Sequence, residues 1–148
     1  MNNADYYQYQ RPEVLALIPE CAKRILDVGC GAGVLGASLK HRQPCEVTGI
    51  EFVIEAAALA RDKLDRVIQG DFSANAHQLM DSYYDAIVLA DVLEHLQQLA
   101  SGPEIYRMNQ ATINICWYAK NPAPRRSPLI FPSIHCKHDQ FFTWPSTS

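Results

Sequence analysis

The chain has 148 residues, 48% of them hydrophobic, 20% charged and 9% aromatic, a size and balance that suit one compact globular domain and exclude disordered, collagenous and disulfide-dense classes. A formal net charge of −3 argues against a general nucleic-acid coat or a polybasic membrane anchor, because both need a strong positive field to recruit phosphates. No apolar window reaches the ~18 residues of a membrane span, the amino-terminal MNNADYYQYQRPE lacks the basic-then-apolar pattern of a signal peptide, and the five cysteines form no CxxC pair, so a cytoplasmic chain with reduced thiols and no metal site is expected.

Pro12 can open a short helix that buries Val14, Leu15, Leu17 and Ile18. RILDV (24–28) is an apolar run stopped by glycines, and Val34, Leu35, Ala37, Ser38 and Leu39 continue as a helix that ends before Pro44. A second strand, EVTGIE (46–51), precedes the strong helix formers AAALARDKL (56–64), whose late cations suit the helix dipole. RVIQ (66–69) with a weaker helix near 74–81 makes a third unit, and YDAIVLA (84–90) leads into the helical DVLEHLQQL (91–99). Strands joined by helical crossovers pair in parallel, which predicts an α/β, Rossmann-like doubly wound sheet with helices on both faces.

The character changes after residue 98. Residues 1–98 carry 8 basic and 14 acidic side chains, residues 99–148 carry 5 and 2, and six of the nine prolines fall in this last stretch. We read one domain over 1–148, with a ligand-binding half at 1–99 and a diverged or truncated remainder at 100–148. ATINICWYA (111–119) is a candidate fifth strand, and PLIF and QFFTW are candidate short strands. A sheet lacking its outer strands leaves an exposed edge, which favours dimerisation, partner capture or aggregation; a homodimer is one form that would cover it.

Ligands of open α/β sheets bind beyond the carboxyl ends of the strands, so the residues there are the candidate site. After the first strand, Asp27-Val28-Gly29-Cys30-Gly31-Ala32-Gly33 forms a glycine turn through which backbone amides can approach a ligand. A dinucleotide fingerprint starting at Gly29 wants a third glycine where Val34 stands, which sets aside a nicotinamide-dependent oxidoreductase, and no GK[ST] follows, which excludes a P-loop. Glu51, 18 residues past Gly33, suits a ribose diol, and Phe52 beside it can cover a base. In Gly70-Asp71-Phe72 the carboxylate can accept from an exocyclic amine while the ring packs on adenine. Asp91, Glu94 and His95 follow the fourth strand. Singly, a glycine turn can merely close a loop, Glu51 can be a solvated strand end and Asp71 a helix cap; in order along one sheet edge, they point to a bound adenosine moiety.

ILDVGCGAG, VTGIE, VIQGDF and YDAIVLADVLEHL together resemble the class I S-adenosylmethionine-dependent methyltransferases, particularly bacterial small-molecule or glycan-associated members, over about residues 11–99. The resemblance implies that Asp27, Gly29, Gly31 and Gly33 border the methionine portion of S-adenosylmethionine, that Glu51 holds the ribose, that Asp71 faces the adenine amine and that Asp91 lies beside the donor methyl. It implies methyl transfer to a small-molecule or sugar-derived acceptor. Where that acceptor is a hydroxyl or a protonated amine a general base helps, and of the residues near the donor His95 comes first, Glu94 second and His77 is a remoter candidate. A histidine in a helix of leucines is more often structural. The alternative is a catalytically inactive cofactor-binding or partner-binding remnant of the same fold. Asp5, Tyr6, Tyr7 and Tyr9 suit an aromatic flap over the cofactor or an ordinary exposed terminus, and His135-Cys136-Lys137-His138 lacks the second cluster that a tetrahedral metal site needs.

Overall fold

The computed structural model describes residues 10–89 and the backbone of a two-residue strand at Ile115–Cys116. In chain order the elements are α1 (Pro12–Leu17), β1 (Arg24–Val28), α2 (Val34–Arg42), β2 (Glu46–Glu51), α3 (Ile54–Arg61), β3 (Arg66–Gln69), α4 (Phe72–Asn75) with a 3-10 turn at Ala76–Gln78, β4 (Ala86–Val88) and β5 (Ile115–Cys116). The strands form one sheet in the order β3-β2-β1-β4-β5, and every pairing is parallel. The α/β doubly wound expectation therefore holds, and β5 falls inside the ATINICWYA stretch.

Period-two alternation assigns each strand residue to one of two cores. Ile25, Val47, Ala86 and Val88 join Val14, Ile18, Leu35, Leu39, Ala60 and Leu64 on the face covered by α1, α2 and α3. Leu26, Val28, Ile50, Ile68 and Ile87 join Phe72, Ala76, Leu79, Tyr84 and Leu89 on the other. Strands buried on both faces read as continuous apolar runs, which is why RILDV and AIV carried so clear a signal. Burying each of the large aliphatic side chains contributes ~1.5–3 kcal/mol.

The weak helix near 74–81 starts earlier and is shorter than its sequence suggests. The Asp71 side chain accepts hydrogen bonds from the amides of Ser73 (2.9 Å) and Ala74 (3.3 Å) and so opens the helix at Phe72. Leader helix α1 is held from its carboxyl end. Arg42 donates to the Leu15 and Ile18 carbonyls, while the buried Gln43 donates to those of Pro19 (3.0 Å) and Ala22 (2.8 Å). Four carbonyls at the end of α1 and in the turn after it thereby gain side-chain donors, those of Leu15 and Pro19 in addition to the backbone amides of Ile18 and Ala22.

Among the described residues, Cys30 and Cys45 are free thiols. No helix among the described residues is long and apolar enough to cross a membrane.

Candidate functional site

Strand order reverses between β1 and β4, so the loop leaving β1 stands at the switch point of the sheet. Gly29, Gly31 and Gly33 have φ of 76°, 55° and 75°, a backbone that side chains rarely adopt. At Gly33 a Cβ would also come within 3.1 Å of the Ala60 Cα on α3, so this glycine is required for packing as well as for conformation. The loop is pinned to β2: the amides of Gly29 (2.8 Å) and Cys30 (3.1 Å) both donate to the Ile50 carbonyl, and the Gly33 amide closes a turn on the Cys30 carbonyl at 2.9 Å.

Glu51, the last residue of β2, is 7% exposed. Its Oε2 accepts from the Gly31 amide and its Oε1 from the Val53 amide, both at 2.8 Å. Its own carbonyl accepts from the Gly70 amide at 2.9 Å, and Gln69 donates to the Phe52 carbonyl at 2.9 Å. The ends of β1, β2 and β3 are thus tied together through one carboxylate and the backbone beside it. A carboxylate oxygen has two acceptor directions, so each oxygen of Glu51 keeps one for a ligand hydroxyl. That geometry fits a vicinal diol offering two donors.

Asp27 is buried on β1. The thiol of Cys30 is pushed up by burial first, then by the negative charges of Asp27 and Glu51, so it stays protonated and is no nucleophile. Its sulfur fills the space over Gly49, where a Cβ would lie 2.6 Å from Sγ. The anionic character around the loop suits a ligand with donor groups and positive charge.

Asp71 and Phe72 divide their roles differently from the sequence reading. Asp71 is exposed and spends Oδ1 on both cap bonds. Phe72 is 4% exposed inside the second core, so its ring is consumed by packing and offers a base no face. The ring that stands open beside Glu51 is Phe52, 72% exposed, with Ile54 next to it at 64%. Asp91, Glu94, His95, the amino-terminal tyrosines and the His135–His138 cluster lie outside the described residues. His77 sits in the 3-10 turn after α4.

The matching family model, a methyltransferase domain, spans residues 25–110 and so takes in the glycine loop, Glu51 and Asp71. This chain belongs to the class I S-adenosylmethionine-dependent methyltransferase family. S-adenosylmethionine is accordingly the cofactor of this methyltransferase domain, and the buried Glu51 carboxylate and the glycine turn are compatible with it. Among curated relatives, the ubiquinone biosynthesis O-methyltransferase of Yersinia enterocolitica is 37% identical over 86 residues, which cover 53% of this chain and 34% of that protein. The protein of the same name from Sodalis glossinidius is 34% identical over 86 residues, 53% of this chain and 33% of that one. The chain thus spans about a third of the length of these relatives. Among solved structures, the bifunctional kinase-methyltransferase WbdD aligns at TM-score 0.59 with 19% identity over 74% of this chain and 29% of that one. An S-adenosylmethionine-dependent methyltransferase from Archaeoglobus fulgidus aligns at 0.56 with 23% identity over 80% and 57%. At these identities the two structures speak for the fold alone.

Two features of the site had no sequence signal. The bond from Glu51 to the glycine loop joins residues 20 apart, and a bond from Lys63 to the Ala32 carbonyl joins residues 31 apart.

Proposed function

We propose that this domain transfers a methyl group from S-adenosylmethionine to a small-molecule or sugar-derived acceptor, and that the accepting atom is an oxygen. The observation that carries the reading is the buried Glu51 carboxylate, bonded to the Gly31 and Val53 amides at the switch point of the sheet. The oxygen acceptor is supported by the names of the curated relatives.

The bound cofactor supplies an activated methyl on a sulfonium, a good neutral leaving group. What remains for the protein is chiefly alignment in a dry site. Glu51 would orient the ribose through its two remaining acceptor directions, the turn at Gly29–Gly33 would let the backbone approach the methionine portion without Cβ interference, and Phe52 would cover a face of the base. Asp71 would accept from the adenine amine, and Asp91 would lie by the donor methyl. An acceptor hydroxyl must lose its proton, and His95, or Glu94 in its place, is the proposed base. The cytoplasm is the proposed compartment.

Calorimetric titration with S-adenosylmethionine and S-adenosylhomocysteine, with NAD as control, tests the cofactor assignment. Micromolar binding of both sulfur ligands and none of NAD is the expected result. A folded chain that binds none of the three is a methyltransferase-like scaffold without its chemistry. Once an acceptor is found, His95→Ala should lower turnover ~10²-fold and leave S-adenosylhomocysteine affinity unchanged; unaltered turnover would remove His95 from the reaction.

A further inference from the structure

We infer that Lys63, two residues beyond α3, is a positioning residue that holds the cofactor loop in its binding shape. The inference rests on the cofactor reading above. The Lys63 ammonium donates to the carbonyl of Ala32 at 2.6 Å and to that of Leu59 at 3.2 Å. Ala32 stands between Gly31 and Gly33 and is fully buried, so the ammonium grips the middle of the glycine turn. The turn that carries Lys63 is itself fixed, because the amides of Lys63 and Leu64 both donate to the Ala60 carbonyl at 2.9 Å. The same turn packs against the loop: a Cβ at Gly33 would meet Ala60 and Leu64 within 3.1–3.2 Å.

Two oppositely charged side chains therefore seize adjacent residues of one loop. Glu51 holds the Gly31 N–H and Lys63 holds the Ala32 C=O. A run of glycines with positive φ has the largest backbone freedom to lose when a ligand binds. Fixing both polarities of the turn beforehand removes that cost from binding. Lys63 differs from Glu51 in that its bonds go only to backbone carbonyls, one on the loop and one at the end of α3, where a cation also favours the helix dipole.

The test compares Lys63→Met, Lys63→Arg and the control Arg61→Met, which removes an equal charge from the last turn of α3. Loss of a charged hydrogen bond predicts ~10-fold weaker S-adenosylhomocysteine binding in Lys63→Met. Lys63→Arg should recover most of it, and Arg61→Met should match the parent. Amide exchange at Gly31 and Gly33 should quicken in Lys63→Met while exchange at Leu26 and Ile87 stays as in the parent. A merely structural lysine would lower the melting temperature and leave affinity unchanged at temperatures where the variant is folded; that outcome, or parental loop exchange in Lys63→Met, overturns the inference. If Lys63→Met does not fold, exchange in the ligand-free parent decides, since a pre-held loop protects the Gly33 amide nearly as well as the strand amides and a loop ordered only by ligand does not. A parent that binds no S-adenosylhomocysteine defeats the cofactor reading, while the exchange comparison still judges Lys63.

Discussion

The two ends of the sheet use carboxylates in opposite ways. At the amino ends of the strands, Asp85 and Asp65 each meet a cation, while Glu46 accepts from the Tyr83 hydroxyl at 2.9 Å. Asp85 accepts from the Lys23 and Arg24 amides at 2.9 Å and pairs with the Arg24 guanidinium at 3.0 Å, which in turn lies 4.8 Å over the Tyr83 ring. Asp65 accepts from the Val47 amide at 2.8 Å and from Lys40 at 2.6 Å. At the carboxyl ends, Glu51 is held by backbone amides and Asp71 by amides of its own helix. Carboxylates neutralised within the protein staple strands together; carboxylates steadied only by neutral donors keep charge and acceptor capacity for a ligand. The comparison also shows that burial alone does not identify a site, since both ends contain partly buried acids.

The largest expected effect on this contrast comes from Glu51→Ala. Removing a charged acceptor should weaken S-adenosylmethionine binding by ~1.5–3 kcal/mol, or roughly 10–100-fold, and leave the Gly31 and Val53 amides without their acceptor. Calorimetry that finds parental affinity would place Glu51 with the scaffold acids and erase the distinction.

Asp85→Ala comes next and should act in the opposite quantity. Losing three hydrogen bonds at the start of β1 should lower unfolding stability by ~1–3 kcal/mol in urea titrations while ligand affinity holds. Burial opposes ionisation of Asp85, yet the Arg24 bond and the two amides outweigh it, so its carboxyl sits below the ordinary range; at Asp65, the Lys40 bond and the Val47 amide likewise overcome burial. The sign follows from linkage. A carboxyl whose pKa is depressed on folding contributes stability that is present above its unfolded pKa of ~4 and is lost as pH falls through the folded value. Urea midpoints should therefore drop below about pH 4 in the parent and drop less in Asp85→Ala; identical acid profiles would discount the staple.

Lys40→Met should have the smallest effect. The pair with Asp65 is partly exposed, at 32% and 37% of the two side chains, and such pairs contribute ~0.2–1 kcal/mol, less at high salt. A loss that grows with added salt would show that the pair is not acting by charge.

Much of the scaffold was legible before any coordinates. RILDV, EVTGIE and RVIQ match β1, β2 and β3 residue for residue: β1 and β2 are buried on both faces, and the edge strand β3, with only Ile68 buried, is marked instead by its short apolar pair and the turn residues that stop the run. The glycine turn was legible for a related reason: three alternate positions carry φ of 76°, 55° and 75°, which glycine adopts without the steric cost that a Cβ adds. Helix bounds were read less well where one cap decided them, as Asp71 does for α4. The burial of Phe72 was not legible, because an aromatic after a strand-end acid has the same letter whether it faces a ligand or the core, and the choice lies in which side of the sheet α4 covers.

The sequence by itself determined the order of strands and helices, the place of the flexible turn and the identities of the acids along one edge, all of which follow from local periodicity and backbone sterics. The tertiary structure alone decided which acid was which. Glu51 holds the Gly31 amide, Lys63 holds the Ala32 carbonyl, Asp85 reaches the start of β1 across 61 residues, and Phe72 turns inward while Phe52 stays out. Each of these is a contact between segments brought together only by parallel pairing of the strands, and a hydrogen bond needs its partners within about 3 Å wherever they stand in the chain.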